Sequence, residues 1–335
     1  MDEKIVIFKN EKIGDLIHSY KAIQKIISKN QYKEIIIFLS NYNFEMNFLF
    51  ESENVKFKKI SEKINLKDKI KIILYFIKHQ IKETYIFKPS SFLFLLPLIL
   101  YFKNIKFYGI CVNNKSYRRP SSFFRNFLFK YVINDRGSKN IRKSINDLHI
   151  ELVSNTIVKN SFASYKKNLI KKIDTKKYLL IHYNKFKFNK LEWTIEDLFL
   201  LIKNLEKYFD KIVLTNDIND NKTNELLQKK FLNNHKIKYH PNIKGKYFFD
   251  LIGNAKLVIA LHGMITAIAA LQNTKVIDLF NCDLKTINDF YKYKNAFHEF
   301  KPKLNSYEFL IPRKNCLITL NRIKNLIENG RKTSS

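Results

Sequence analysis

The sequence predicts an α/β protein of two Rossmann-like domains, each a parallel sheet flanked by helices. Three observations predict it. Short apolar runs alternate with helical patterns along the whole chain, as β-α-β units require. A polar, lysine-rich stretch from about Tyr165 to Lys177 divides those runs into two series and reads as the linker. In each series one apolar strand stops at a glycine-bearing turn that leads into a helix, which puts free helix N–H groups at the carboxyl edge of a sheet. The 335 residues leave room for two domains with sizeable cores, expected at 1–168 and 176–330.

Lys4 to Phe8 (KIVIF) forms the first strand, and the loop from Lys9 to Asp15 enters a helix. Leu16, Tyr20, Ile23 and Ile27 keep one face of that helix apolar. Asp15 sits at or beside the helix N-terminus, next to Gly14. Two roles suit it there: an N-cap, which stabilises a helix by roughly 1 kcal/mol, or a carboxylate available as a general base. Strands follow at 34–39, 84–87 and 105–109. The second series has strands at 177–182, 211–215, 257–261 and 275–280, with a helix at 195–208. Thr194 is the expected cap of that helix, with Asp197 three residues on, and Ile195, Leu198, Phe199, Ile202 and Leu205 share one face. Leu257 to Leu261 is a continuous apolar run, as for a strand covered on both faces. Gly263 then permits a tight turn into a helix from Met264 to Gln272. The dipole and first N–H groups of that helix favour a phosphate or diphosphate, although the same small residues also suit plain close packing. The tail from Gly330 is expected to lack order.

Composition narrows the partners. An apolar content of 45% with 29 phenylalanines excludes a wholly disordered chain. Cys111, Cys282 and Cys316 are widely spaced, make no metal-like pair and predict reduced thiols in a cytosolic compartment. Asp2 and Glu3 ahead of a short apolar run do not form a secretory signal. The run from Phe92 to Phe102 is broken by Pro97 and too short to cross a bilayer. The formal charge of +31, from 61 Lys+Arg against 30 Asp+Glu, raises nucleic acid as a partner. The excess is mostly lysine spread evenly among Asn, Ile, Phe and Tyr, the composition of AT-rich coding. Lys115 to Lys143 departs from that trend: Arg118, Arg119 and Arg125 alternate there with aromatics against one acid, Asp135. Such interleaving suits an anionic membrane surface or a phosphorylated acceptor, and also stacked nucleotides.

Four segments, in colinear order over nearly the whole chain, resemble glycosyltransferase family 9, the ADP-heptose:lipopolysaccharide heptosyltransferases. They are KIVIFKNEKIGDLIHSYKAIQKI, IKETYIFKPSSFLFLLPLILYFKNIKFYGI, LLIHYNKFKFNKLEWTIEDLFLLIKNL and KYFFDLIGNAKLVIALHGMITAIAAL. The resemblance implies the GT-B fold, with two Rossmann-like domains facing a central cleft. It implies an inverting, metal-independent transfer of heptose or another sugar from a nucleotide-diphosphate donor to a lipid-linked or lipopolysaccharide acceptor, without a cofactor. In that chemistry Asp15 takes the proton of the acceptor hydroxyl. The backbone of Gly263, Met264, Ile265 and Thr266 faces the diphosphate, and Lys190 is its cation, with Lys185 and Lys187 as substitutes. Asp217 or Glu225 meets the ribose, and Arg118, Arg119 and Arg125 meet the acceptor or membrane. The implied place is the cytoplasmic face of a bacterial inner membrane, with no nucleic acid.

The chain departs from the family at the phosphate turn. Leu261-His262-Gly263 and then Thr266 stand where the family has Asp-Thr-Gly followed three residues later by histidine. His262 is the donor that restores a contact toward phosphate or ribose. The departure leaves ADP-heptose as one donor among several. It also motivates a catalytically degenerate scaffold subunit as a rival, beside a basic nucleic-acid-binding protein and a GT-B-fold epimerase.

Overall fold

The computed structural model describes residues 3–88, 90–112, 122–136, 144–154, 178–216, 221–241, 243–280 and 307–332. The chain divides into two compact units, with the described residues up to 154 in the first and those from 178 onward in the second.

The first unit runs β1 (Lys4–Lys9), α1 (Ile13–Lys29), β2 (Glu34–Ser40), a 3-10 turn (Phe44–Phe50), β3 (Val55–Ile60), α2 (Leu66–Lys78) and β4 (Ile81–Ile86). It continues with α3 (Ser91–Ile99), a short 3-10 turn (Tyr101–Lys103), β5 (Lys106–Val112), α4 (Ser122–Leu128), β6 (Tyr131–Arg136) and α5 (Ile145–Ser154). Every pairing is parallel and the strand order is β3-β2-β1-β4-β5-β6. The sequence dictates the centre of this sheet. IVIF of β1 and IIIFL of β2 are buried on both faces, as strands sandwiched between helix layers must be. Phe8 stacks on Phe38 at 4.8 Å between ring centroids and on Phe76 of α2 at 6.2 Å.

The second unit repeats the plan with β7 (Leu179–Tyr183), α6 (Lys185–Lys190), α7 (Ile195–Leu205), β8 (Ile212–Asn216), α8 (Asn221–Phe231) and β9 (Ile237–His240). It continues with α9 (Gly245–Gly253), β10 (Leu257–Leu261), α10 (Met264–Leu271), β11 (Val276–Leu279), β12 (Tyr307–Leu310) and a final helix, Cys316–Lys332. Its parallel strands run in the order β12-β11-β10-β7-β8-β9. Thr194 caps α7 as expected, its N–H donating to Asp197 Oδ2 at 2.8 Å. Leu198, Leu201, Ile202 and Leu205 of α7 are buried, each contributing roughly 1.5–3 kcal/mol of apolar burial.

Both sheets therefore have one order: the first strand is central, two strands extend to one side and three to the other. The order reverses between β1 and β4, and between β7 and β10, and ligands of open α/β sheets bind beyond the carboxyl ends of strands at such reversals. The eight strands read from the sequence are the eight interior strands. The four edge strands, β3, β6, β9 and β12, are additional. β6 and α4 lie inside the basic segment 115–143, which the sequence marked for its charge and aromatics and in which it showed no strand. The helix at 195–208 ends at Leu205 and closes in a 3-10 turn at Glu206–Tyr208. The final helix continues through Gly330 to Lys332, so the tail expected from Gly330 is helical at its start. The linker read at 165–177 lies outside the described residues.

Candidate functional site

At the reversal in the second unit, β10 ends at Leu261 and the chain turns through His262 and Gly263 into α10. Gly263 has φ +150°, a conformation that side chains oppose, and the Lys187 ammonium lies 2.7 Å from where a Cβ would stand. Thr266 Oγ1 accepts the Gly263 N–H at 3.1 Å and donates to the Gly263 carbonyl at 2.9 Å. The first helical bond is from Ala267 N to Gly263 O, which leaves the N–H groups of Met264, Ile265 and Thr266 as the free donors of the helix start. The buried Thr266 hydroxyl closes the turn, and the Gly263 N–H is satisfied by that same hydroxyl.

Across the reversal, β7 ends at Tyr183 and Asn184 caps α6, its side chain accepting the Lys187 N–H at 2.8 Å. This cap starts the helix with the Lys187 stem directed to the glycine turn, and Lys187 Nζ donates to the His262 carbonyl at 2.6 Å. Lys190 goes elsewhere: its ammonium lies 4.7 Å over the Phe186 ring, and the residue is exposed. Lys187, held as a substitute in the sequence reading, is thus the lysine at the turn. Trp193, which follows α6, is a buried anchor. It packs edge-on to Phe188 at 5.4 Å and donates from Nε1 to the Arg313 carbonyl at 2.8 Å.

His262 finds an acid on the neighbouring strand. Its Nδ1 lies 2.6 Å from Oδ2 of Asp278, which is fully buried in β11. A carboxylate only accepts, so Nδ1 carries the proton in this bond and Nε2 is the nitrogen left for a ligand. The histidine keeps 28% of its side-chain surface exposed. An acid and a histidine thus do meet at this turn, though neither occupies the family position at 261 or 266.

Glu225 does not stand at the sheet edge. It is exposed on the outer side of α8, in a hollow with Phe199, Lys222 and Leu226. The α8 residue that faces β8 is Asn224, whose Oδ1 accepts from Asn216 Nδ2 at 3.0 Å and from the Tyr239 hydroxyl. Asn216 ends β8, the place from which a ribose contact comes in dinucleotide folds. Its buried Oδ1 has no partner among the described residues. Asp217 lies outside the described residues, as do Arg118 and Arg119; Arg125 is a half-exposed residue of α4.

In the first unit the loop after β1 is fastened at consecutive carbonyls. Asn43 Nδ2 donates to Lys9 O at 2.8 Å, Lys88 Nζ to Asn10 O at 3.2 Å, and Ser40 Oγ to Glu11 O at 2.6 Å. Asn10 is fully buried and donates to the carbonyls of Ser61 and Glu62. Lys12 occupies the N-cap of α1 and Asp15 lies within the first turn without a capping bond, so the cap role is set aside. The half-buried Asp15 carboxylate has no hydrogen bond or ion pair among the described residues. Lys88, two residues past β4, is held below the usual lysine range by burial. The charge of Lys9 adds to this, while Glu11, Glu62 and Asp15 oppose it. This lysine, which the sequence reading did not single out, puts a partly desolvated cation in the field of Asp15. Among the described residues no group of three or more His, Cys, Asp or Glu could hold a metal ion.

No protein-family model and no curated protein matches the sequence. Solved structures do match its fold. The E. coli heptosyltransferase WaaC with ADP superposes with a TM-score of 0.66 at 11% identity, covering 97% of this chain and 99% of that one. A glycosyltransferase family 9 protein from Veillonella parvula gives 0.62 at 10% identity, covering 92% and 85%. The UDP-GlcNAc 2-epimerase from Methanocaldococcus jannaschii gives 0.53 at 15% identity, covering 96% and 92%. The shared strand order of the two sheets, together with similarity along nearly the entire chain, gives the protein the GT-B fold of the family 9 glycosyltransferases.

Proposed function

We propose that the protein is a glycosyltransferase that moves a sugar from a nucleotide-diphosphate donor to a lipid-linked or lipopolysaccharide-type acceptor. The observation that carries this reading is the Gly263 turn, where a lysine ammonium, a carboxylate-supported histidine and the free N–H groups of a helix start converge. That set suits a diphosphate, because fixed donors in a partly dry site stabilise the negative charge that develops as the leaving group departs. Asn216 and Asn224 are proposed to meet the ribose. ADP-heptose is the first donor to test, since ADP accompanies the similar heptosyltransferase.

In the first unit Asp15 is the proposed base. It accepts the acceptor hydroxyl proton as the oxygen attacks the anomeric carbon and the bond to the diphosphate breaks, with inversion. The diphosphate leaves on Lys187 and the α10 N–H groups, so no metal is required. Arg125 and the neighbouring basic segment are proposed to attend an anionic acceptor at the inner face of the membrane.

A panel of nucleoside diphosphates and nucleotide sugars, scored by thermal shift, tests the donor side, because a ligand of the native state raises its melting temperature. The responding sugar nucleotide then enters a transfer assay with Asp15→Asn. An active transferase loses transfer but keeps the shift. A donor converted to its epimer without an acceptor would instead support the second reading, favoured by the epimerase fold match.

A further inference from the structure

One face of the first unit is apolar outside as well as inside. α2, α3 and α4 connect strands that step the same way along the sheet, β3 to β4 to β5 to β6, so right-handed crossovers place them on the same side. Lys69 Nζ lies 5.8 Å over the Phe92 ring, and Lys103 Nζ donates to the Ile77 carbonyl at 2.7 Å, joining α2 to α3 and its following turn. Beneath them Ile72, Phe76, Leu93 and Leu96 fill the core. Outward, Leu66, Ile70, Leu74 and Ile77 form a second stripe on α2 at spacings of four, four and three. Leu98, Tyr101 and Phe102 extend it along α3 and the turn, and Phe127 along α4; Leu66, Tyr101, Phe102 and Phe127 are each about 70% exposed. Ten of the eighteen large apolar side chains exposed among the described residues lie on this face, far from the even scatter of an ordinary surface.

The charges beside the stripe have one sign. Lys67, Lys71 and Lys78 are exposed along α2, and none forms an ion pair among the described residues. The single acid within α2, α3, α4 and the turn is Asp68, which is buried and accepts the Ser61 N–H at 2.9 Å. Apolar side chains ringed by lysines, with aromatics at one end, fit the interface of an anionic bilayer: aliphatic groups enter the headgroup boundary and lysine stems reach back to phosphates. A second copy of the chain fits poorly, since face-to-face stripes bring lysines of the same sign together. No described helix is long and apolar enough to cross a membrane, so this face lies on the surface. We infer that the outer face of α2, α3 and α4 docks the protein on membranes containing anionic phospholipid. The face belongs to the first unit alone and does not depend on the reading of the Gly263 turn.

Co-sedimentation with phosphatidylglycerol/phosphatidylcholine vesicles, against phosphatidylcholine alone, tests the inference. The wild-type chain is expected to bind the anionic vesicles selectively, and added salt to weaken binding. The quadruple variant Leu66→Gln, Ile70→Gln, Leu74→Gln, Ile77→Gln changes only exposed positions; it should lose binding by at least about tenfold with an unchanged circular dichroism spectrum. Lys67→Glu with Lys71→Glu should remove the preference for phosphatidylglycerol, while Leu317→Gln with Ile318→Gln on the final helix should alter nothing. Equal binding by the quadruple variant, or no binding by the wild-type chain, overturns the inference. So does a wild-type dimer in light scattering that the variant dissolves, since it gives the face to a second copy.

Discussion

Asp15, Lys187 and His262 carry different burdens, and single substitutions separate them. Asp15→Asn removes the proposed base but leaves the proposed donor contacts, so transfer should fall by roughly 10²–10⁴-fold while the nucleotide-induced melting shift persists. Lys187→Ala removes a cation from the proposed diphosphate site; with charged hydrogen bonds contributing about 1.5–3 kcal/mol, donor affinity should fall roughly 10- to 100-fold. Lys190→Ala, at an ammonium placed over Phe186, should leave donor affinity within about twofold, since exposed surface charges contribute little. Calorimetric titration of the two lysine variants checks the pair. His262 and Gly263 were legible because they close an apolar run, and Asp15 because it opens the helix that follows one, where local pattern suffices. Asp278 and Lys88 were not, since each reaches its place through a neighbouring strand and nothing local announces the pairing. Lys187 and Lys190 are three residues apart on one short helix; only the Asn184 cap and the turn it faces distinguish them.

The α7 cap and the final helix give the clearest element tests. Thr194→Ala should lower stability by about 1 kcal/mol through loss of its part in the Asp197 capping box, measurable by urea titration. Cys316, at the start of the final helix, is pushed up to about 12 by burial and by the nearby Asp197. The thiolate is the reactive form, so iodoacetamide should leave Cys316 unmodified in the native chain at pH 8 and alkylate it once the chain is unfolded; mass spectrometry reads the outcome. Interior strands were legible because burial on both faces demands an uninterrupted apolar run. Edge strands are paired on one side only, and β3 (VKFKKI) alternates lysines outward while β9 (IKYH) has four residues. Such segments resemble loops until their partners are in place.

Across the molecule, the two histidines with resolved shifts predict how stability follows pH. His79 is held below its usual 6.5 by burial and by Lys4, Lys78 and Lys58, and His240 by burial and by Lys238 and Lys211. The unfolded chain therefore binds more protons than the folded one in the window just below 6.5, so both groups reduce stability as pH falls through that window and leave it unchanged above. Melting temperature should be flat from pH 8 to 7 and decline from pH 6.5 toward 5, and His79→Gln should flatten part of the decline. The charge of +31 suggested nucleic acid at first; the repeated strand order and the lysine and histidine gathered at the Gly263 turn favour a small anionic donor instead. The central claim is that this turn holds a nucleotide diphosphate. Thermal shift of the wild-type chain and Gly263→Ala against ADP, UDP, GDP and their sugar conjugates tests it most directly. The account predicts a rise in melting temperature with one nucleotide class, abolished in Gly263→Ala and retained in Asp15→Asn. No rise with any of them, or a rise that Gly263→Ala leaves intact, would contradict it.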